Sequence, residues 1–215
     1  MSRAYPIRAV TVYCASSPNV HPSYLRLAED FGRRLATKGR TLVFGGGAIG
    51  LMGAVSRACR EAGGRTVGVV TTRLRDAEQV DANNSENIIV KTMRERKAIL
   101  EAWGDALVVL PGGLGTMEEF FEVYTGRLLE EHSKPIVLVD PPDPNHPEER
   151  GFYAPLLAMI QHMIDANFAK PGVLKLLHVT RSAEEASVAL DLLERDGPLA
   201  IRDLGPIHPY IPQEA

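Results

Sequence analysis

Twice along the chain a short aliphatic run ends in bare backbone and restarts as a helix-forming segment. Thr41-Leu42-Val43-Phe44 leads into Gly45-Gly46-Gly47-Ala48-Ile49-Gly50-Leu51-Met52-Gly53. Leu107-Val108-Val109-Leu110 leads into Pro111-Gly112-Gly113-Leu114-Gly115-Thr116-Met117-Glu118-Glu119. A strand, a turn without side chains and a helix start, in that order, make the repeating unit of a parallel sheet. The rest of the chain keeps the alternation. Periodicity and turn residues predict strands at 7–14, 41–44, 65–70, 87–90, 107–110, 136–139 and 174–179. They predict helices at 24–38, 49–62, 93–103, 116–130, 153–166 and 183–194. The run 107–110 is apolar at every position, as strands covered on both faces are. The expected architecture is α/β: a single doubly wound, Rossmann-like domain with a mostly parallel sheet and helices on both faces.

Composition narrows the class of function. The 215 residues are 45% hydrophobic, enough for one full core. Lys and Arg number 24 against 27 Asp and Glu, a net charge of -3, which argues against a strongly basic nucleic-acid surface. Two cysteines, Cys14 and Cys59, do not make a disulfide framework and suit a reducing compartment. No apolar run approaches the roughly 20 residues of a membrane span, and the first residues lack the pattern of a secretory signal. A cytoplasmic protein with neither a membrane nor a nucleic-acid partner is expected. Residues 1–196 read as the domain and 197–215 as a tail containing Pro198, Pro206, Pro209 and Pro212, with Ile207, Tyr210 and Ile211 available to pack. Residues 140–151, with four prolines, read as a surface loop.

Ligands of an open parallel sheet bind in the crevice outside the carboxyl ends of its strands. Both glycine-rich turns fall there. Glycine lets the backbone approach an anion, and free N–H groups at a helix start complement phosphate. The competing reading is a pair of tight turns with no ligand. The first turn carries the dinucleotide pattern Gly45-x-Gly47-x-x-Gly50, yet Val69-Val70 lead into Thr71-Thr72-Arg73, without the acidic residue that holds a ribose. Gly50 is followed by Leu51-Met52, where a nucleoside-triphosphate loop needs Lys and Ser or Thr. Nicotinamide, flavin and triphosphate readings fall away.

Glu118, Glu119 and Glu122 sit in the first turns of the helix after the second glycine turn. The Thr116–Glu119 spacing fits a capping box, which makes Glu119 structural. The alternative is a carboxylate at the edge of the phosphate crevice. Glu122, nearly one turn on, suits a structural or subunit contact. Thr92 and Glu95 offer another capping box at the start of Met93-Arg94-Glu95-Arg96-Lys97. Three cations there oppose the helix dipole, a cost relieved if Arg96 or Lys97 turns inward to an anion or carboxylate. Arg94 reads as solvated. Ser16 and Ser17 follow the first strand and can bond a ribose or phosphate oxygen. Cys14 reads as an inert buried thiol, and the six histidines match no zinc spacing, so no metal is expected.

These residues carry a resemblance. Pro111–Glu119 is similar to the PGGxGTxxE signature of the "Lonely guy" family of cytokinin riboside 5′-monophosphate phosphoribohydrolases. Gly45–Gly53 resembles its GGGxxGLMG segment, Val12–Ser17 its opening strand and turn, and Met93–Lys97 its M-x-x-R-K helix start. The four motifs occur in family order. The resemblance implies hydrolysis of the N-glycosidic bond of a purine nucleoside 5′-monophosphate, AMP-like or N6-substituted, to free base and ribose 5-phosphate. Glu119 and Arg96 are implied as the catalytic pair, with Arg96 orienting Glu119 or the substrate and keeping that carboxylate ionised. Gly112, Gly113, Gly115, Thr116, Gly46, Gly47, Ser16, Ser17, Met93 and Lys97 are implied around phosphate and substrate. No metal or organic cofactor is implied, and a homodimer or larger homo-oligomer is. Members are often labelled lysine decarboxylases, but no residue pattern here suggests a pyridoxal-phosphate site. The family's T-W-x-Q continuation is replaced by Thr125-Gly126-Arg127-Leu128, and Thr71 stands where a proline is usual. A non-catalytic nucleotide-binding or sensor protein of the same fold is the second reading, and a related glycosidic or phosphoribosyl-transfer enzyme the third.

Overall fold

The computed structural model describes residues 5–76 and 80–201, without the side chains of residues 147–149. Seven parallel strands form the main sheet: β1 (Ala9–Tyr13), β2 (Thr41–Phe44), β3 (Thr66–Thr71), β4 (Glu86–Val90), β5 (Ala106–Val109), β6 (Ile136–Val139) and β9 (Leu177–Thr180). Their spatial order is β4-β3-β2-β1-β5-β6-β9. Chain order therefore reverses between β1 and β5, where Val10 pairs with Ala106 and Tyr13 with Val109. That reversal opens the crevice in which such sheets bind ligands.

Among the described residues there are seven α-helices: α1 (Pro22–Thr37), α2 (Gly50–Glu61), α3 (Thr72–Asp76), α4 (Met93–Trp103), α5 (Leu114–Leu128), α6 (Ala154–Asp165) and α7 (Ala183–Asp196). The apolar runs supply both faces. Val10, Val12, Leu42, Phe44, Val108 and Leu110 pack with Phe31, Leu51 and Leu190 on the α1, α2 and α7 side. Tyr13, Val43, Leu107 and Val109 pack with Leu100, Phe120 and Ile160 on the α4, α5 and α6 side. Side chains alternate faces along a strand, so unbroken hydrophobicity is what a sheet covered twice requires.

Most expected elements are found within two residues of their expected bounds, α3 is unexpected, and four further differences stand out. Helix α1 begins at Pro22, with the ring of His21 accepting from the Ser23 amide. The segment expected as a strand from Leu174 starts as a 3-10 turn, Pro171–Leu176, and becomes extended only at Leu177. Residues 140–151 are not a loop: β7 (Pro142–Asp143) and β8 (His146–Gly151) form an antiparallel hairpin, and Asp140 is buried. Helix α5 starts at Leu114, two residues before the Thr116 start expected. No helix among the described residues is long and apolar enough to cross a membrane. Of the tail, Pro206, Ile207, Pro209, Tyr210, Ile211 and Pro212 lie outside the described residues.

Candidate active site

Three strand ends converge on one cavity of about 470 Å³, within the size range of small-molecule sites. The turn after β1 contributes Cys14, Ser16 and Ser17; the turn after β2 contributes Gly45 and Gly47; the turn after β5 and the start of α5 contribute Gly113, Gly115, Thr116 and Glu119. Met93 and Arg96 enter from α4.

Thr116 does not cap α5. The cap position belongs to Gly113, which has no side chain to offer. Thr116 is the third residue of the helix and is buried, and Glu119 lies three residues beyond the position from which a side chain reaches back to the cap amide. The capping box expected at Thr116–Glu119 is therefore absent. Helix geometry leaves the N–H groups of Leu114, Gly115 and Thr116 without intrahelical acceptors, and at least Gly113, Leu114, Gly115 and Thr116 face the cavity. Gly112 lies beneath them, since a Cβ there would stand 2.1 Å from Thr116 Oγ1. Bare amides and the positive helix end together make an anion site.

The first glycine turn is built differently. The amides of Leu51 and Met52, at the start of α2, donate to the Ala15 carbonyl at 3.0 and 3.3 Å. That helix start is already satisfied by the β1 turn, so the anion site rests on α5. Gly46 is buried with its α-carbon against Gly68, its carbonyl accepting the Asp81 amide at 2.9 Å, and Gly47 rather than Gly46 lines the cavity. Asp81 is held in turn by Arg60 Nη2 at 2.9 Å and by the Asn83 amide at 2.9 Å. Nothing in the sequence near Asp81 marked it as the brace of a glycine turn 35 residues away.

Arg96 and Glu119 meet. Thr92 caps α4 by accepting from the Glu95 amide, and Glu95 reaches back to the Thr92 amide, so the capping box expected here is present. It aims the Arg96 side chain inward. Arg96 Nη1 donates to Glu119 Oε1 at 3.0 Å, Nε to the Val69 carbonyl at 2.9 Å and Nη2 to the Gly45 carbonyl at 3.4 Å. Gly45 is required by this approach, because a Cβ there would fall 2.2 Å from Arg96 Nη2. One guanidinium thus ties the ends of β2 and β3 to α5. The two side chains are 8% and 14% exposed. Burial lifts the Glu119 carboxyl above its usual value; the Arg96 guanidinium pulls it down without cancelling the desolvation. The hold of Arg96 on ionised Glu119 is therefore only partial.

The neighbours divide the remaining charge. Lys97 turns to Glu118, which it contacts directly, and to Glu122 at 2.9 Å, and does not line the cavity. Arg94 is exposed, as expected. Cys14 sits on the cavity wall with its thiol pushed far up by burial, which suits packing rather than nucleophilic chemistry. Ile49, Leu74 and Leu114 also line the cavity. Leu74 lies on α3, a five-residue helix whose sequence gives no apolar period to announce it.

Comparisons with known proteins place the chain among relatives. A family model described as possible lysine decarboxylase matches residues 52–190. A cytokinin riboside 5′-monophosphate phosphoribohydrolase of Mycobacterium tuberculosis is 41% identical over 177 residues, 82% of this chain and 90% of the relative. One of Arabidopsis thaliana is 37% identical over 192 residues, 89% of this chain and 79% of the relative. Among solved structures, the molybdenum cofactor carrier protein of Chlamydomonas reinhardtii aligns with a TM-score of 0.63 at 22% identity, covering 86% of this chain and 96% of that one, which establishes the shared fold.

Proposed function

The chain belongs to the possible lysine decarboxylase family, alongside proteins named cytokinin riboside 5′-monophosphate phosphoribohydrolases, and from that membership we propose that it hydrolyses the N-glycosidic bond of a purine nucleoside 5′-monophosphate. The observation that carries the reading is the Arg96–Glu119 pair, 3.0 Å apart, beside the uncapped start of α5. Water adds to C1′ of the ribose, the bond from C1′ to the base breaks, and the base departs with a proton, leaving ribose 5-phosphate.

The residues divide this work. The 5′-phosphate sits against the amides at the start of α5, with Gly112 letting Thr116 pack beneath. Ser16 and Ser17 face the same cavity from the β1 turn and can donate to ribose or phosphate oxygens. Cleavage passes through an oxocarbenium-like sugar, so a nearby carboxylate stabilises the developing positive charge and takes a proton from the attacking water. Glu119 is that carboxylate, and Arg96 fixes its orientation. Met93 lines the cavity beside them. Lys97 acts at one remove, through Glu118. Phosphate binding remote from the reacting carbon positions the sugar, so the bare nucleoside reacts poorly.

Chromatographic detection of adenine released from AMP, with adenosine beside it, tests the reading. Release from AMP is expected to exceed release from adenosine by orders of magnitude. Binding of purine monophosphates without any base release would overturn the hydrolase and favour a nucleotide-binding protein. The resemblance also carries a homodimer or larger homo-oligomer into the proposal. Light scattering is expected to give at least twice the chain mass, and a monomer at assay concentration would remove that part.

A further inference from the structure

The segment expected as a surface loop is anchored at its base by a buried carboxylate. Asp140 leaves the end of β6 and is 3% exposed. Its Oδ1 accepts the Tyr153 amide at 2.5 Å, and its Oδ2 accepts Arg181 Nη1 at 3.2 Å. The carboxylate packs directly on Gly151, where any Cβ would fall 2.0 Å from Oδ2. The β7–β8 hairpin therefore returns the chain to a fixed point, and Tyr153 follows immediately.

From there the Tyr153 ring, 3% exposed, packs edge-on to Phe152 and runs under β5. Its hydroxyl donates to the Leu110 carbonyl at 2.7 Å, and the Gly112 amide favours the same hydroxyl's ionised form. Leu110 and Gly112 flank Pro111 at the head of the second glycine turn. The Pro111 carbonyl accepts the Ala15 amide at 3.1 Å. The turn that presents the anion-binding amides is thus held at two points, by Ala15 and by Tyr153. Glycines supply no side-chain packing of their own, so the geometry of 112–115 depends on such outside contacts.

We propose that Tyr153 is a positioning residue for the phosphate-binding turn, anchored by Asp140 against Gly151, and that its hydroxyl sets affinity for the phosphoryl end of the substrate rather than the rate at the glycosidic bond. This rests on the hydrolase reading for the identity of the substrate, and on geometry alone for the strut. Tyr153 touches neither Arg96 nor Glu119, which are held by Val69, Gly45 and each other. Loosening the turn leaves the reacting pair in place.

The experiment is calorimetric titration of ribose 5-phosphate into the parent chain and Tyr153→Phe, with steady-state kinetics on AMP alongside. Tyr153→Phe keeps the ring and its packing and removes only the hydroxyl. Ribose 5-phosphate affinity is expected to fall about fivefold to tenfold, the scale of one lost buried hydrogen bond. KM for AMP should rise by a similar factor while kcat stays within about twofold, the split that separates binding from the chemical step. Tyr153→Leu, which removes ring and hydroxyl together, should weaken ribose 5-phosphate at least as much. A Tyr153→Phe affinity within twofold of the parent overturns the proposal. So does a fall in kcat at unchanged KM, or a parent chain that does not bind ribose 5-phosphate. A parent that binds ribose 5-phosphate but releases no adenine from AMP defeats the hydrolase reading alone, and the affinity comparison still decides the strut.

Discussion

Replacing Glu119 by Gln is expected to leave AMP bound and to slow adenine release by about two to four orders of magnitude, the range spanned by removal of a positioned acid–base group. Glutamine keeps the size of the side chain and an oxygen for Arg96 Nη1, which now stands 3.0 Å from Oε1. What it lacks is the charge that stabilises the sugar cation and the basicity that takes a proton from water. The pH profile carries a second signature. Glu119 works ionised, so parental kcat falls as pH drops through its pKa. Burial places that pKa above the usual glutamate value, so the acid limb begins at a higher pH than an exposed glutamate would give. The residual rate of Glu119→Gln should show no such limb. Turnover near the parental rate, or an acid limb that survives the substitution, would take the role from Glu119.

Arg96→Leu is expected to abolish turnover and also to destabilise the fold by about 3 kcal/mol, the low end for breaking a buried ion pair because the cavity admits water. The loss is threefold: Glu119 keeps a charge without its partner, and the carbonyls of Val69 and Gly45 lose their donor. The sign with pH follows from Glu119. Without the guanidinium its folded pKa rises further above the unfolded value, so the deficit is smaller at low pH, where the carboxyl is protonated in both states and the unmet carbonyls of Val69 and Gly45 account for what remains. The deficit relative to the parent grows as pH rises past the parent's own raised value and levels off above the variant's. The double variant Arg96→Leu with Glu119→Leu removes the stranded charge, and should recover part of the stability while remaining inactive. Urea unfolding of the three proteins at two pH values reads this directly. A single variant as stable as the parent at neutral pH would mean that the pair is not buried in solution.

Much of this was legible locally. The Thr92–Glu95 box, the apolar runs that need two covered faces and the bare turns after β2 and β5 are each written within a few residues. Hydrogen bonds between residues three or four apart and side-chain alternation depend only on neighbours in the chain. Other features misled for the same reason. Thr116 and Glu119 have the spacing of a cap, but the helix starts at Leu114 and its cap position falls on Gly113, three residues earlier. Four prolines made 140–151 look like loop, while the buried Asp140 carboxylate binds that segment to Tyr153 and Arg181.

Sequence by itself determined the class of sheet, its two covers and the two turns where an anion could be met, since these follow from periodicity and from the absence of side chains. Tertiary structure alone decided which turn remains open. Strand order sets Ala15 against the start of α2 and fills it, while the start of α5 stays bare. It also brought Arg96 to Glu119 across 23 positions of chain and Tyr153 to Leu110 across 43. Those pairings depend on where β1 and β5 lie in the sheet, and on the burial that makes a lone charge or an unmet carbonyl costly. No local pattern encodes either.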